Sequence, residues 1–326
     1  MANRSDQGAS IGGGLRGRIA RWPHEIPLAG WRDILYRTWT AIGEDRLSLL
    51  AAGVAFYMLL AIFPALTTAI SLFGLVSDAA AVKREIANLR DVLPNQAWTL
   101  IQQQIATLTS QTTSGLTWAS AISFGLTLFT ARLAVYAMMD ALNAVYKQPE
   151  TRNIIALNAI ALFFTVIAIL GFIVVMAGVL VAPVVFALFG LGPFSENLIR
   201  YLRWIVLGAI AVVSLAAIYR YGPDRKPAKW RWISWGAVIA TAIWIAASFG
   251  FSWYVEAFDS YDRLYGSLGA VVILLFWLWL SAFAALLGAE LDMQIEHQTM
   301  MDSTIGEDKP MGERGAYVAD TIGDTP

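Results

Sequence analysis

The chain of 326 residues contains no cysteine. Disulfides, thiolate metal ligands and cysteine nucleophiles are therefore excluded. Histidine is almost as scarce: His24 and His297 stand in opposite tails, so no histidine metal site or catalytic triad is expected. No HExxH, Walker A or GxGxxG pattern occurs, and no cofactor is implied. Charge is short as well, at 14% of residues against 57% hydrophobic, where soluble domains carry about 25% and 45–50%. So little charge cannot cover a water-exposed surface, and the solvent for much of this chain is lipid. The net charge of −1 gives no reason to expect a nucleic-acid partner.

Residues 1–30 carry Arg4, Arg16, Arg18 and Arg21 but no apolar core and no small-residue cleavage site. They do not read as a secretion signal, so the first hydrophobic segment is expected to be a retained anchor.

What is abundant is uncharged sequence. Runs of about 18 or more apolar residues are candidate membrane helices. Six such segments occur: Leu49–Val76, Gly115–Ala131 continuing past Arg132, Ile154–Phe194, Trp204–Tyr219, Trp232–Val255 and Leu264–Ala289. The third is 41 residues long and could be broken at Pro183 or at Gly190 to Gly192, giving a seventh span. Loop charge opposes that division. With six spans and the N-terminus in the cytoplasm, the inner segments hold 16 of the 23 Lys and Arg, among them Arg225, Lys226, Lys229 and Arg231, and the outer segments hold six. Lys and Arg collect on the cytoplasmic side, and a seventh crossing would carry the Arg225–Arg231 cluster outside. The expected fold is therefore all-α: a polytopic membrane protein with six transmembrane helices in the inner membrane and both termini cytoplasmic.

Amphipathic stretches lie outside these spans. Leu28, Trp31, Leu35, Trp39 and Ile42 form one stripe, with Arg32 and Asp33 off it, which predicts a helix on the inner membrane surface. Between the first two spans, Val82, Ile86, Leu89 and Leu93 precede Pro94, and Trp98, Ile101, Ile105 and Leu108 follow it. That spacing predicts an extracytoplasmic helical hairpin over the outer mouth of the bundle, or two surface helices that only pack. The domain reading is thus a disordered cytoplasmic N-terminus over residues 1–27, a membrane domain over 28–295, and a polar, disordered tail over 296–326.

Polar residues at membrane depth are the candidate site. On a helix, Arg132, Tyr136, Asp140 and Asn143 fall within about 80° of one another, one stripe reaching the inner surface. It either lines a pathway or consists of a snorkelling arginine and a solvated aspartate. An ionisable group at the bilayer centre costs about 2.5–3.5 kcal/mol on insertion scales. Tyr146 continues this region, and Glu290 ends the sixth span within reach of the layer of Arg132 or Arg46. Glu44, Asp45 and Arg46 read as an interfacial anchor. Pro64 removes a backbone hydrogen bond and is expected to bend the first span. Gly236, Ala240, Ala247 and Gly250 give the fifth span a small-residue face suited to close helix contact. At the entry to the sixth span, Tyr261 and Tyr265 suit the interfacial aromatic belt, Gly266 permits the turn, and Ser267 caps the helix. Glu256, Asp259 and Asp262 could bind a divalent ion but read as an exposed acidic loop.

These motifs, in order, resemble the YihY/BrkB family of bacterial inner-membrane proteins, once labelled ribonuclease BN. The resemblance rests on EDRLSLLAAGVAFYMLLAIFPAL from Glu44, ALNAVYKQPETR from Ala141 with Asn143, Tyr146, Glu150 and Arg152, WRWISWGAVIATAIW, FSWYV, SYDRLYGSLGA and LLGAELD. It spans about residues 30–295 and implies six membrane helices and export of a lipid-like or envelope compound. Membrane lipids and a lipid-linked substrate are then the expected partners. A non-transporting membrane scaffold or envelope-assembly factor is the alternative. A ribonuclease is the weakest reading, because the basic clusters stand where topology requires them and no basic face with stacking aromatics is evident.

Overall fold

A computed structural model describes residues 16–76, 118–188, 193–257 and 269–325. A 3₁₀ turn, Pro23–Glu25, precedes eight α-helices. They are α1 Leu28–Glu44, α2 Leu47–Val76, α3 Trp118–Val145, α4 Ile154–Leu188, α5 Pro193–Tyr221, α6 Trp230–Ala257, α7 Gly269–Glu296 and the short α8 Tyr317–Asp320. Among the described residues no strand forms, and one isolated bridge joins Ala228 to Thr304.

Each of the six predicted apolar runs carries one long helix, α2 to α7. The 41-residue run is a single helix of 35 residues, α4, which continues through Pro183. Among the described residues four helices contain a stretch long and apolar enough to cross a bilayer, Phe124–Val145, Ile154–Gly171, Trp230–Val255 and Val271–Glu296. The pair α1 and α2, bent by 63°, makes a fifth if taken as one broken span. In α5 the described apolar stretch is Ile205–Tyr221. At most 33% of any full-length stretch is buried inside the protein, so the remainder needs an apolar solvent.

Successive helices run antiparallel and pack in the series α4–α3–α2–α7–α6–α5, with α7 also touching α1 and α3. Among the described residues α4 and α5, the two ends of that series, form no comparable pair. All six long helices have one terminus at a common end of the bundle, called here the polar end. The main buried cluster lies there, joining Leu47 of α2, Leu142 and Val145 of α3, Ala216 and Tyr219 of α5, Ile233 and Ala237 of α6, and Leu286, Ala289 and Met293 of α7.

The helices α6 and α7 meet at glycine. A Cβ added to Gly288 would stand 2.7 Å from the Gly236 carbonyl and against the Ala240 methyl, so only a missing side chain lets the backbones approach. Of the predicted small-residue face, Gly236 and Ala240 serve this contact, whereas Gly250 meets nothing within 4 Å.

Pro64, expected to bend the first span, stands within α2, which is helical on both sides of it. A separate bend of 63° joins α1 to α2 at Asp45 and Arg46, where Arg46 takes a left-handed φ of 52° and the Asp45 amide caps α1 on Ala41 O and Gly43 O. α1 is amphipathic, but the expected stripe is divided, with Trp31 and Ile42 packed against the protein core. Gly30, Asp33, Ile34, Thr38 and Ala41 face the protein, while Leu28 (89% exposed), Leu35 and Trp39 (76%) face outward. That outward stripe fits an in-plane interfacial helix.

The tail departs from its expected disorder. Residues 297–325 fold back over the polar end: Thr299 Oγ1 donates to Ala20 O (2.6 Å), Gln298 Nε2 to Arg16 O (2.7 Å), and Lys226 and Lys229 donate their amides to Gly315 O and Ser303 O. Val318 and Ala319 of α8 are buried. Polar composition suggested a solvated tail, but these polar groups bond to the backbone of segments some 75–280 residues away in sequence. The same contacts order residues 16–27, expected to be disordered, with Ala20 and Ile26 in a small core beside Trp232 and Ile295. Residues 1–15, the hairpin region, and Tyr261, Tyr265, Gly266 and Ser267 lie outside the described residues.

Candidate functional site

The polar end is tied together by two loops. After α3, Lys147 takes a left-handed φ of 53° and the chain crosses to α4 through Pro149, Glu150 and Arg152. After α5, Gly222 and Pro223 lead through Asp224 and Arg225 to α6. Asn143, at the end of α3, is buried and joins both loops. Its Nδ2 donates to Glu150 Oε2 at 2.8 Å, and its Oδ1 accepts from the Asp224 amide at 2.7 Å. Arg152 grips Glu150 through Nε and Nη2 at 2.7 and 2.6 Å, donates to Gly222 O at 3.0 Å, and lies 3.7 Å from Asp224. Thr151 donates its amide and its hydroxyl to Asp224 Oδ2 at 2.6 and 2.5 Å. This latch connects the ends of α3 and α4 to the end of α5.

Its charges are mutually stabilised. The Arg152 guanidinium, more than any other neighbour, holds the Glu150 carboxyl below the ordinary range. Burial works against the charge of Asp224, but the Thr151 hydroxyl and amide outweigh it and its carboxyl is also held low. Arg152 is raised chiefly by its bonds to Glu150.

Beneath the latch lies a buried group. Arg225 binds Glu296 through both terminal nitrogens (3.1 and 2.9 Å), and its guanidinium sits 4.4 Å from the centre of the Tyr146 ring. Ser303 Oγ donates to Glu296 Oε1 at 2.6 Å. Burial opposes the charge of Arg225, yet Glu296 more than offsets it and the guanidinium is held above its ordinary value. Burial also pushes the Tyr146 phenol up, and among the described residues its hydroxyl has no hydrogen-bond partner. On α7, Asp292 Oδ1 accepts from the Gly236 amide at 2.6 Å, and Tyr219 of α5 donates to Ala285 O at 2.5 Å. Asp292 Oδ2 and Glu290 Oε2 are buried without hydrogen-bond partners among the described residues.

The predicted polar stripe is divided by this arrangement. Asn143 and Tyr146 are buried in the polar end; Tyr136 and Asp140 are exposed. Arg132 donates to Asn158 Oδ1 of α4 and lies 5.0 Å over the Phe129 ring. Glu290 is fully buried and takes a 2.8 Å bond from Gln294 one turn on, rather than meeting Arg132 or Arg46. Pro64 lies within α2.

Several members of the group escaped the sequence. Arg225 reads there as one of four topological charges, and Glu296 as the start of a tail. Their pairing spans 71 residues and leaves no local signal. Asp224 had one available signal, its place after Gly222-Pro223 in a tight connection, but its partners sit on another loop.

A bundle of antiparallel apolar helices with its charge gathered at one end defines a polytopic helical membrane protein. The family model described as Virulence factor BrkB matches residues 38–312, and the chain belongs to that family. It is 26% identical over 275 residues to a UPF0761 membrane protein of Cronobacter sakazakii, covering 82% of this chain and 89% of that one. A protein whose name calls it ribonuclease-like, YfkH of Bacillus subtilis, is 26% identical over 252 residues, 74% of this chain and 87% of that one. A UPF0761 membrane protein of Idiomarina loihiensis is 26% identical over 181 residues, 54% of this chain and 61% of that one. No solved structure matches.

Proposed function

We propose that this protein exports an amphiphilic or lipid-linked envelope compound across the bacterial inner membrane. Six crossings with both termini in the cytoplasm place the latch at the inner surface, in accord with the excess of Lys and Arg in the segments of the polar end. The observation that carries the reading is the open series of helices. The ends of the series, α4 and α5, are tied at the polar end by the latch but, among the described residues, form no comparable pair above it. Their separation offers an amphiphile a lateral way in from the bilayer, and the latch serves as the inner closure. Arg132, bonded to Asn158 on α4, is the charged group at membrane depth beside that opening. No nucleotide-binding motif occurs in the sequence, so energy comes from an ion gradient or from a partner. No enzyme activity is part of this reading.

The absence of cysteine makes the test direct. Thr151→Cys with Asp224→Cys puts a disulfide across the latch. In proteoliposomes with an imposed proton or sodium gradient, wild type is expected to move fluorescent short-chain lipids between leaflets. The oxidised double variant is expected to stop that movement and reductant to restore it. If monodisperse wild type moves none of a panel of anionic, zwitterionic and prenyl-linked lipids, the export reading is lost.

A second reading has one observation in its favour. The folded tail and the buried Arg225–Glu296 pair make the polar end a fixed platform, as a membrane scaffold or envelope-assembly factor requires. It predicts that the locked variant complements a deletion strain as well as wild type does.

A further inference from the structure

Several cations of the polar end are matched. Arg225 pairs with Glu296, Arg152 with Glu150 and Asp224, Arg16 with Asp33, and Lys229 with Asp308. Arg37 bonds Gln294 and Gln298. Arg220 is different. It stands in the last turn of α5, is 8% exposed, and has no carboxylate within ion-pair distance among the described residues. Among the described residues its Nε and Nη1 are buried with no hydrogen-bond partner. A buried donor without an acceptor costs about 1–3 kcal/mol, and more when it is charged.

What surrounds Arg220 is aromatic. The guanidinium lies 4.5 Å from the Trp230 ring centre and 5.2 Å from that of Tyr221, and the two rings meet edge-on at 6.2 Å. Both rings remain more than 40% exposed. Half-exposed Trp and Tyr at helix ends mark the headgroup level of a bilayer. Trp230 is also the first residue of α6, whose N-terminal end carries partial positive charge. An arginine fork oriented by rings, next to a helix N-terminus, matches the planar, bidentate recognition of phosphate. Basic pockets between membrane helices on the cytoplasmic side bind lipid headgroups in this way.

We infer that Arg220, Tyr221 and Trp230 form a binding site for a phosphate group at the membrane interface, supplied by the phosphodiester of an anionic phospholipid or by free phosphate. The site supplies the acceptor that Arg220 lacks within the chain. It stands apart from the export reading, since a bound lipid anchors a scaffold as well as a transporter.

Calorimetric titration of the purified full chain in detergent tests it with three probes: dihexanoyl phosphatidylglycerol, dihexanoyl phosphatidylcholine and inorganic phosphate. Wild type is expected to bind phosphatidylglycerol at least tenfold more tightly than phosphatidylcholine. Arg220→Gln is expected to weaken that binding at least tenfold. Arg32→Gln, which removes an exposed arginine from α1, is expected to leave it unchanged. Binding of inorganic phosphate that is lost in R220Q, without lipid binding, upholds the phosphate site and assigns its ligand to the soluble pool. If R220Q does not fold, Trp230→Leu removes the ring that orients the guanidinium and is expected to weaken binding likewise. Binding by neither lipid nor phosphate, binding unchanged in R220Q or in W230L, or equal loss in R32Q overturns the inference.

Discussion

Arg225 and Glu296 face each other across the polar end as a two-bond ion pair whose side chains are 0% and 1% exposed. The pair links the α5–α6 loop to the last residue of α7, and Ser303 adds the first residues of the tail. Desolvating two charges costs about as much as their attraction returns, but removing one alone leaves an uncompensated buried charge. Glu296→Gln is therefore expected to destabilise by about 3–5 kcal/mol. Arg225→Met combined with Glu296→Leu is expected to cost far less than the single change. Thermal unfolding in detergent, followed by tryptophan fluorescence, compares them. A single variant as stable as wild type would refute a structural role for the pair.

The latch makes stability depend on pH in the acid range. Glu150 and Asp224 are both held below their ordinary values in the folded chain. Groups with depressed folded values stabilise fully above the unfolded values, about 4.3 for Glu and 3.9 for Asp. That stabilisation is lost as pH falls through the folded values. Wild type is expected to lose stability progressively below about pH 4.5. Glu150→Gln with Asp224→Asn is expected to start less stable at neutral pH and to show a flatter acid limb. Parallel acid limbs would assign the pH dependence to other groups.

His297 adds a dependence at higher pH. It follows α7 directly, bonds Thr321 through Nε2 at 2.9 Å, and burial, aided by Arg37, lowers it to about 4. The unfolded imidazole titrates near 6.5. Between those values the unfolded chain holds the extra proton, so stability is complete above about pH 6.5 and declines towards 4. The slope is at most about 1.4 kcal/mol per pH unit. His297→Gln removes it. A wild-type melting temperature constant from pH 7 to 5 would contradict the depressed value.

How much of this was legible follows from the range of each signal. Apolar runs are local, so α2 to α7 appear in the sequence where the structure has helices, and the outward stripe of Leu28, Leu35 and Trp39 is local as well. The 63° bend between α1 and α2 was not legible, because Arg46, which adopts the left-handed turn, has no residue-type preference that announces it. Asn143 stood out as polar in an apolar helix, but its function as a bridge depends on Glu150 and on the Asp224 backbone 81 residues away. Arg132 could be seen to lie at membrane depth, yet not that Asn158 would bond it. The tail was misjudged for the same reason: Thr299 and Gln298 look like solvated residues until Ala20 and Arg16 are brought beside them.

The contact between α6 and α7 sets a steric limit that can be measured directly. At Gly288 a methyl group would stand 2.7 Å from the Gly236 carbonyl oxygen and 2.9 Å from the Tyr219 hydroxyl, with Ala240 closer still. Two of these three neighbours are backbone or a backbone-fixed methyl and cannot rotate away. The helices must therefore separate, which loosens Asp292 from the Gly236 amide and Tyr219 from Ala285 O. Overpacking of this kind costs about 1–3 kcal/mol for small additions, so Gly288→Ala is expected to lower the melting temperature measurably and Gly288→Val to prevent a monodisperse fold. Gly250 has open space around it on the same helix as Gly236, and Gly250→Ala is expected to be neutral or slightly stabilising, because alanine favours the helix by about 1 kcal/mol. Equal effects at Gly288 and Gly250 would mean that the close approach of α6 and α7 is not what holds the polar end together.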